Sequence, residues 1–262
     1  MFKNQRHKEL LEILKKEGFA EVRTLGELLY ASQPTIRRDL DYLEKQGLVR
    51  RSHGGAILAD DRINTPVSYR KGTRTQEKNR ICRLAATLIA PGNLLFIDAS
   101  STALYLSDYL KESDEITVVT YGYPICHTLV EKNIRTFSTG GRILKDSMAF
   151  VGQHAEETVR QFNADLMFFS ASSVAEDGRI SDYSEEEIVL RRAMLKQSRR
   201  VVFLCNSAKI GTTSAFFAFS LSEVDDLITD APLSPAIIQA YSFSLTRELN
   251  GAYLYHREKT AD

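Results

Sequence analysis

Residues 32–55 read SQPTIRRDLDYLEKQGLVRRSHGG, and this segment indicates more about the chain than any other. Ser32 is a residue type that caps helices, because its side chain can accept a hydrogen bond from an N–H group of the first turn. Ile36, Leu40 and Leu43 recur at helical spacing and form one apolar stripe. The pattern predicts an amphipathic helix with one buried face.

The opposite face of this helix carries polar side chains. At about 100° per residue, Arg38 points away from the apolar stripe, while Arg37 and Thr35 lie on its flanks. Guanidinium groups suit bidentate contact with phosphate or guanine, and Gln33 is placed to read a base edge. We therefore expect DNA contacts from Gln33, Thr35, Arg37 and Arg38.

A basic hairpin is predicted directly after the helix. Gly47 stands where a left-handed residue commonly ends a helix. Residues 48–51 are apolar and basic and predict a short strand, with a turn at Gly54-Gly55. Arg51 and His53 would then hold the DNA backbone or the minor groove. A helix followed by such a hairpin is typical of a winged helix-turn-helix.

Two more helices are predicted upstream. The first spans residues 4–17, where leucines recur at helical spacing, and Gly18 closes it. The second begins at a capping box formed by Thr24 and Glu27. Its predicted buried side chains are Leu25, Leu28 and Leu29. Three helices and a hairpin predict an α+β winged helix-turn-helix over residues 1–58, whose third helix enters the major groove. A small helical bundle with solvated arginines is the alternative from the helix pattern alone.

Charge is distributed unevenly along the chain, although the net charge of the 262 residues is zero. Residues 1–83 hold 18 Lys and Arg against 11 Asp and Glu, a difference of +7. The remaining residues hold 16 basic and 23 acidic side chains, a difference of −7. A basic N-terminal part joined to an acidic C-terminal part suits a DNA reader attached to a sensor.

The compartment and cofactor content follow from simple counts. No apolar run approaches the roughly 18 residues that a membrane span requires, and the first residues do not form a signal peptide. The three cysteines lack zinc-ligand or disulfide-framework spacing, and the histidines lack metal spacing. We expect a cytoplasmic protein without metal or cofactor and without a membrane partner.

The pattern changes after a polar and then basic linker, expected at residues 59–76. Over residues 77–262, apolar strands alternate with helices, which predicts an α/β domain with a largely parallel sheet covered on both faces. A terminal helix that packs on the sheet is expected within residues 233–254. The predicted strands are residues 94–97, 116–120, 134–137, 166–169, 201–204 and 227–229.

Polar residues follow several of these strands, at the edge where ligands of parallel sheets bind. Hydroxyls at the start of a helix suit a phosphate, two glycines suit a tight turn, and one lysine supplies a cation. The predicted effector-binding residues at these strand ends are Asp98, Ser100, Ser101, Thr102, Thr120, Gly140, Gly141 and Lys209, and Glu187 joins them from the helix predicted at residues 185–197.

From about residue 5 to residue 230 the chain resembles the DeoR family of transcriptional regulators. The most specific match is TIRRDL at 35–40, with GLVRR at 47–51 and HGGA at 53–56. The resemblance implies binding to double-stranded operator DNA as a homo-oligomer, a dimer or a tetramer, usually as a repressor of sugar-catabolic genes. It implies a phosphorylated sugar or related metabolite as inducer. It also implies a sensor domain similar to ribose-5-phosphate isomerase and CoA-transferase-like folds.

The chain departs from the family pattern at the predicted pocket. Ser100 stands in place of the usual glycine, Tyr121-Gly122 in place of Asn-Ser, and Asn206 in place of the aspartate that commonly precedes Ser-x-Lys. The customary glycine near the next strand end is replaced around Ser172-Ser173. Extra bulk at Ser100 and Tyr121 would narrow the pocket or change its ligand.

An enzyme with an added DNA-binding arm is the competing class. Asp98, Glu187 and Lys209 include the acid, base and cation that a sugar-phosphate isomerase or an acyl-CoA transferase would need for proton transfer. We favour the regulator and assign no catalytic residue, because Asp98 also suits a helix cap and Glu187 belongs to an acidic run. Activation in place of repression stays open at this point.

Overall fold

The structure is a computed structural model that describes residues 3–45, 48–52, 54–58 and 67–258. The chain divides into an N-terminal unit, residues 1–72, and a C-terminal unit, residues 73–262. Gly47, His53 and residues 59–66 of the linker expected at 59–76 lie outside the described residues. The rest of that predicted linker is largely helical, at residues 67–72 and from Thr75 onward. Within the described ranges, no helix is long and apolar enough to cross a bilayer.

The N-terminal unit is built from short helices and a three-stranded sheet. Its elements are α1 (Lys3–Glu17), β1 (Phe19–Glu21), α2 (Val22–Leu28), α3 (Gln33–Lys45), β2 (Val49–Ser52), β3 (Gly55–Leu58) and α4 (Val67–Gly72). Gly18 ends α1 in a left-handed conformation with φ of 71°, as its missing side chain permits. The sheet order is β1-β3-β2, with both pairs antiparallel. The predicted winged helix-turn-helix is thereby confirmed.

Two details of this unit differ from the sequence predictions. Glu21 is the N-cap of α2, so Thr24 lies inside the helix and the predicted capping box at Thr24 and Glu27 is wrong. Leu28, predicted to be buried, is 54% exposed, whereas Leu25 and Leu29 are buried. The unpredicted strand β1 pairs with β3, and the N-cap of α2 lies three residues upstream of the predicted one.

The C-terminal unit alternates helices with strands, as expected. Its elements are α5 (Thr75–Ala86), β4 (Leu94–Ile97), α6 (Ala103–Leu106), β5 (Thr117–Thr120), α7 (Tyr123–Glu131), β6 (Arg135–Ser138), β7 (Arg142–Leu144), β8 (Ala149–Val151), α8 (Gln153–Val159), β9 (Ala164–Phe169), β10 (Ser173–Val174), β11 (Arg179–Asp182), α9 (Glu185–Lys196), β12 (Ser198–Cys205), β13 (Phe216–Ser220), β14 (Asp226–Thr229), α10 (Pro235–Tyr241), β15 (Phe243–Leu249) and β16 (Ala252–Arg257).

The main sheet has eight strands in the order β15-β16-β14-β12-β9-β4-β5-β6. The six strands from β14 to β6 are parallel, and each contains or overlaps one of the predicted strands. Along β4, Phe96 belongs to one buried apolar cluster, while Leu95 and Ile97 belong to another. Because alternate residues point to opposite faces, both faces of the sheet are covered, as predicted.

The C-terminal end of the sheet differs from the prediction. Only residues 235–241 of the expected terminal helix are helical, and they are followed by the antiparallel hairpin β15–β16. Asn250 and Gly251 form its two-residue turn, with φ of 51° and 74°. An Asn-Gly pair is a strong hairpin signal because both turn positions need positive φ, so this strand pair was readable from the sequence.

Candidate DNA-binding and effector sites

Helix α3 begins and buries its stripe as the sequence predicts. The Ser32 hydroxyl accepts a hydrogen bond from the Thr35 N–H at 3.4 Å and lies 2.8 Å from the Thr35 hydroxyl. Ile36, Leu40 and Leu43 are at most 1% exposed and belong to the apolar core of the unit. The cap and the stripe together fix which face of α3 reaches the surface.

The surface face of α3 holds the residues predicted to contact DNA. Gln33, Arg37 and Arg38 are exposed, and Thr35 is half-buried beside Ser32. The guanidinium groups of Arg37 and Arg38 therefore project from α3 into solvent, where they can contact a ligand. This geometry fits a recognition helix that enters a major groove.

Asp39 on α3 has a structural role that the sequence analysis missed. It is buried, accepts hydrogen bonds from Arg6 Nε at 2.5 Å and Nη2 at 3.2 Å, and pairs with His7 Nε2 at 2.8 Å. Burial by itself would raise the pKa of Asp39, but the hydrogen bonds and charges of Arg6 and His7 outweigh it and lower that pKa. Asp39 thus fastens the recognition helix to α1.

This pairing predicts an acid-sensitive contribution to stability. The folded-state pKa of Asp39 is lower than its ordinary value of 3.8, so its contribution is present above that value and is lost as the pH falls through the lowered pKa. We expect Asp39→Asn to destabilise the N-terminal unit at pH 7 and to cost less at pH 2. Urea unfolding of both proteins at the two pH values measures this. An equal cost at both values would contradict the assignment.

The wing is tied to the recognition helix. Gly54 turns the hairpin with φ of 83°. The Arg51 N–H donates to Glu44 Oε1 at 2.8 Å, and the Arg51 guanidinium pairs with Asp41. Both acidic partners lie on α3, so these contacts join the wing to the recognition helix. Arg51 was predicted to contact DNA, whereas its two partners on α3 were not predicted.

In the C-terminal unit, the predicted effector residues lie near the carboxyl ends of the parallel strands. A series of hydrogen bonds joins the loops that follow these strands. The Thr139 N–H, after β6, donates to the carbonyl of Thr120 at the end of β5. The Ser170 N–H, after β9, donates to Asp98 Oδ2, after β4. Lys209 Nζ, after β12, donates to Ser170 Oγ at 2.8 Å. The common edge predicted from strand order is present.

The hydroxyl groups after β4 are buried and directed by local contacts. Ser100 Oγ accepts from the Ala103 N–H at 3.1 Å, and Ser101 Oγ accepts from Lys78 Nζ at 3.2 Å. Thr102 is fully buried. Lys78 lies on α5, and the sequence analysis did not include it. A lysine on the buried face of an otherwise amphipathic helix was the signal that could have found it.

The turn residues Gly140 and Gly141 are placed by backbone geometry. Both have positive φ, 65° and 104°. A β-carbon at Gly141 would lie 2.5 Å from the carbonyl oxygen of Val151, so only glycine fits without movement of the backbone. Thr120 is buried, and its hydroxyl accepts from the Gly122 N–H at 3.1 Å. These residues therefore shape the strand edge.

Arg191 on α9 organises a buried charge cluster that the sequence analysis did not predict. Its side chain is 3% exposed and lies 3.1 Å from Asp98, 2.6 Å from Asp182 and 3.2 Å from Glu187. Arg191 Nε also donates to the Tyr121 hydroxyl at 3.0 Å. Asp98 and Glu187, predicted as effector residues, are thus partners of a buried arginine. The four-residue spacing of Glu187 and Arg191 on a helix was the available signal.

Burial controls protonation within this cluster, which we call the Arg191 cluster (Asp98, Tyr121, Asp182, Glu187 and Arg191). Burial raises the pKa of Asp98, while Arg191 and hydrogen bonds from Ser100 and Ser170 act in the opposite direction. Burial also raises the pKa of Tyr121 well above 10, so its hydroxyl stays protonated. Tyr121 is fully buried and belongs to an apolar core cluster, and its hydroxyl accepts from Arg191.

Comparison with known proteins gives two domain matches that together span most of the chain. Residues 6–62 match the DeoR-like helix-turn-helix domain, and residues 73–231 match the DeoR C terminal sensor domain. Among solved structures, a ribose 5-phosphate isomerase A of Methanocaldococcus jannaschii aligns with a TM-score of 0.41 at 12% identity, covering 70% of this chain and 80% of that chain.

Full-length relatives are regulators. The glycerol-3-phosphate regulon repressor of Escherichia coli (strain K12) is 32% identical over 240 residues, covering 91% of this chain and 95% of the relative. The putative aga operon transcriptional repressor of Escherichia coli O157:H7 is 26% identical over 231 residues, covering 87% and 86%. These proteins are named as regulators of transcription, and the enzyme alternative is set aside. The chain belongs to the DeoR family of DNA-binding transcriptional regulators.

Proposed function

We propose that this regulator represses genes of sugar or carbohydrate metabolism and leaves its operator when a phosphorylated sugar-like metabolite binds the C-terminal unit. The observation that carries the DNA half is the exposed arginine pair of α3 beside a wing that Arg51 ties to the same helix. Repression and the metabolite class are taken from the relatives, two of which are named as repressors of a glycerol-3-phosphate regulon and an aga operon.

The polar strand edge supports a phosphorylated ligand. Lys78 and Lys209 each reach a serine hydroxyl there, Ser101 and Ser170 respectively. Among the described residues, three polar side-chain atoms that follow or end strands β4, β12 and β14 are buried without a hydrogen-bond partner: Thr102 Oγ1, Asn206 Nδ2 and Thr229 Oγ1. Buried polar atoms without partners are costly. Hydroxyl and phosphate oxygens of a ligand would supply partners of the right kind.

Release from DNA requires that the ligand bind one arrangement of the protein better than another. We propose a homo-oligomer, a dimer or a tetramer, that acts in the cytoplasm and whose subunit geometry sets the spacing of the recognition helices. Asp98 and Glu187 would act through the Arg191 cluster, since both already pair with Arg191. The direct ligand contacts would come from Ser100, Ser101, Thr102, Thr120, Gly140, Gly141 and Lys209.

Removal of the Lys209 ammonium group is the sharpest test of the effector site. We expect Lys209→Ala to raise the metabolite concentration for half-release from the operator about 10-fold or more, because a hydrogen bond to a charged group is lost. Operator affinity without metabolite should not change. Lys196→Ala removes an exposed lysine of α9 and serves as the matched control. Equal release curves for Lys209→Ala and the wild type would remove Lys209 from the site.

The function itself is tested with purified protein and the DNA upstream of its own and neighbouring genes. Binding is measured by fluorescence anisotropy across a panel of sugar phosphates. We expect specific, salt-sensitive binding that one phosphate ester relieves. Binding that no metabolite relieves would overturn the effector proposal and leave the DNA assignment intact. It would direct attention to Ser100 and Tyr121, where the family pattern changes.

A further inference from the structure

A cavity of about 510 Å³ lies at the other end of the parallel strands, away from the effector residues. Arg200 is near the start of β12, and Asp226 is the first residue of β14, so both mark the amino ends of their strands. The effector residues follow the carboxyl ends. The lining residues of the cavity are Leu88, Arg200, Thr246, Arg247, Leu254 and His256.

Asp226 orients two of the lining side chains from beneath. Its carboxylate is fully buried and accepts from Arg200 Nε at 2.5 Å and Nη2 at 2.9 Å. The same carboxylate pairs with His256 Nδ1 at 2.9 Å. Arg200 Nη1 and His256 Nε2 take no part in these bonds to Asp226. The Arg200 and His256 side chains are 40% and 46% exposed. A buried anchor that orients half-exposed nitrogen groups is a preorganised arrangement.

Arg247 adds a second guanidinium from the neighbouring hairpin strand. It is exposed, and its Nη1 donates to Thr87 Oγ1 at 2.9 Å. In the hairpin register, Arg247 pairs with Leu254. Leu254 and Leu88 provide apolar surface in the same cavity. The cavity thus combines cationic donors with an apolar wall.

We propose that this cavity binds a phosphate-bearing anion, with Arg200, Arg247 and His256 holding the phosphate group. Guanidinium groups suit bidentate contact with phosphate oxygens. Nδ1 of His256 faces the Asp226 carboxylate, so Nε2 donates to phosphate when the imidazole is protonated. The apolar wall would take the organic part of a phosphate ester. A purely structural role needs only the Asp226 pairings that join β12, β14 and β16, and Arg247 takes part in none of those bonds.

The test reads the proposed site directly. The chain has five histidines, so a full-length protein with isotopically labelled histidine gives few imidazole signals, and His256→Gln assigns the one that matters. Inorganic phosphate is titrated against sodium chloride of equal ionic strength. We expect the His256 signal to shift saturably with phosphate only. In Arg247→Gln, an exposed change that spares Asp226, the phosphate affinity should fall roughly 10-fold.

Two results would overturn the proposal. The first is a His256 signal that responds equally to phosphate and chloride. The second is a phosphate response that Arg247→Gln leaves intact and Lys209→Ala removes, since the signal would then come from the opposite end of the strands. A response that survives Lys209→Ala and weakens in Arg247→Gln supports a site separate from the effector site.

Discussion

Replacing Arg191 by methionine is expected to lower the free energy of unfolding of the C-terminal unit by about 3–5 kcal/mol. Arg191 is the shared cation of Asp98, Asp182 and Glu187, and it also donates to Tyr121. All of these groups are buried. Methionine matches the volume but supplies neither the charge nor the donors, so buried carboxylates would lose their cationic partner.

The measurement is urea unfolding of the full chain at two pH values. Arg199→Met removes an arginine that is 82% exposed and pairs with Asp165 at the surface, and it should cost under about 1 kcal/mol. The cost of Arg191→Met should be smaller at pH 5 than at pH 7.5, because carboxylates without a cation have raised pKa values and take up protons. A cost equal to that of Arg199→Met would show that the Arg191 cluster does not stabilise the fold.

Replacing Arg38 by alanine is expected to weaken specific operator binding by about 1–3 kcal/mol, roughly 5- to 150-fold, if the guanidinium contacts a guanine. Arg38 is exposed on α3 and points away from the buried stripe. We expect Arg38→Ala to leave the stability of the fold nearly unchanged, because the side chain takes no part in the core. The loss of operator affinity then reports the lost DNA contact. The operator is first selected from random duplexes with the wild-type protein, and affinity is then measured at several salt concentrations.

Arg38→Lys separates a base contact from a phosphate contact. Lysine keeps the charge but lacks the planar fork that pairs with guanine. If Arg38 reads a base, the lysine variant should also lose discrimination between operator and random DNA. If Arg38 holds a phosphate, the lysine variant should bind nearly as the wild type, and Arg38→Ala should reduce the salt slope by about 1. Unchanged binding by Arg38→Ala would exclude Arg38 from the interface.

The DNA-binding half was largely readable from the sequence because its signals are local. A capping serine, a leucine stripe and a glycine-rich turn lie within one continuous segment, residues 32–55, and each acts over a few residues. The six parallel strands were readable for the same reason, since each is a short apolar run. The family resemblance extended from about residue 5 to residue 230. The two domain matches, over residues 6–62 and 73–231, then established the family.

The errors arose where a neighbouring element decides the outcome. Strand β1 is three residues long and exists because β3 pairs with it, so Thr24 became an interior helix residue. The pair Asn250-Gly251 indicates the turn of the hairpin β15–β16. The prediction of a terminal helix within residues 233–254 did not take this pair into account. Leu28 was assigned to the core by spacing alone, and its neighbours in the fold leave it exposed.

The sequence by itself determined the three helices and wing of the N-terminal unit, the six parallel strands, the basic recognition face and the polar residues after the strands. Only the tertiary structure decided which charges meet. Asp39 binds Arg6 and His7, Arg191 binds Asp98, and Asp226 holds Arg200 with His256. Periodicity depends on residues within a turn or two of the chain, whereas a buried charge requires a partner that packing brings from another element. That difference is why the parallel strands could be predicted and the ion pairs between elements could not.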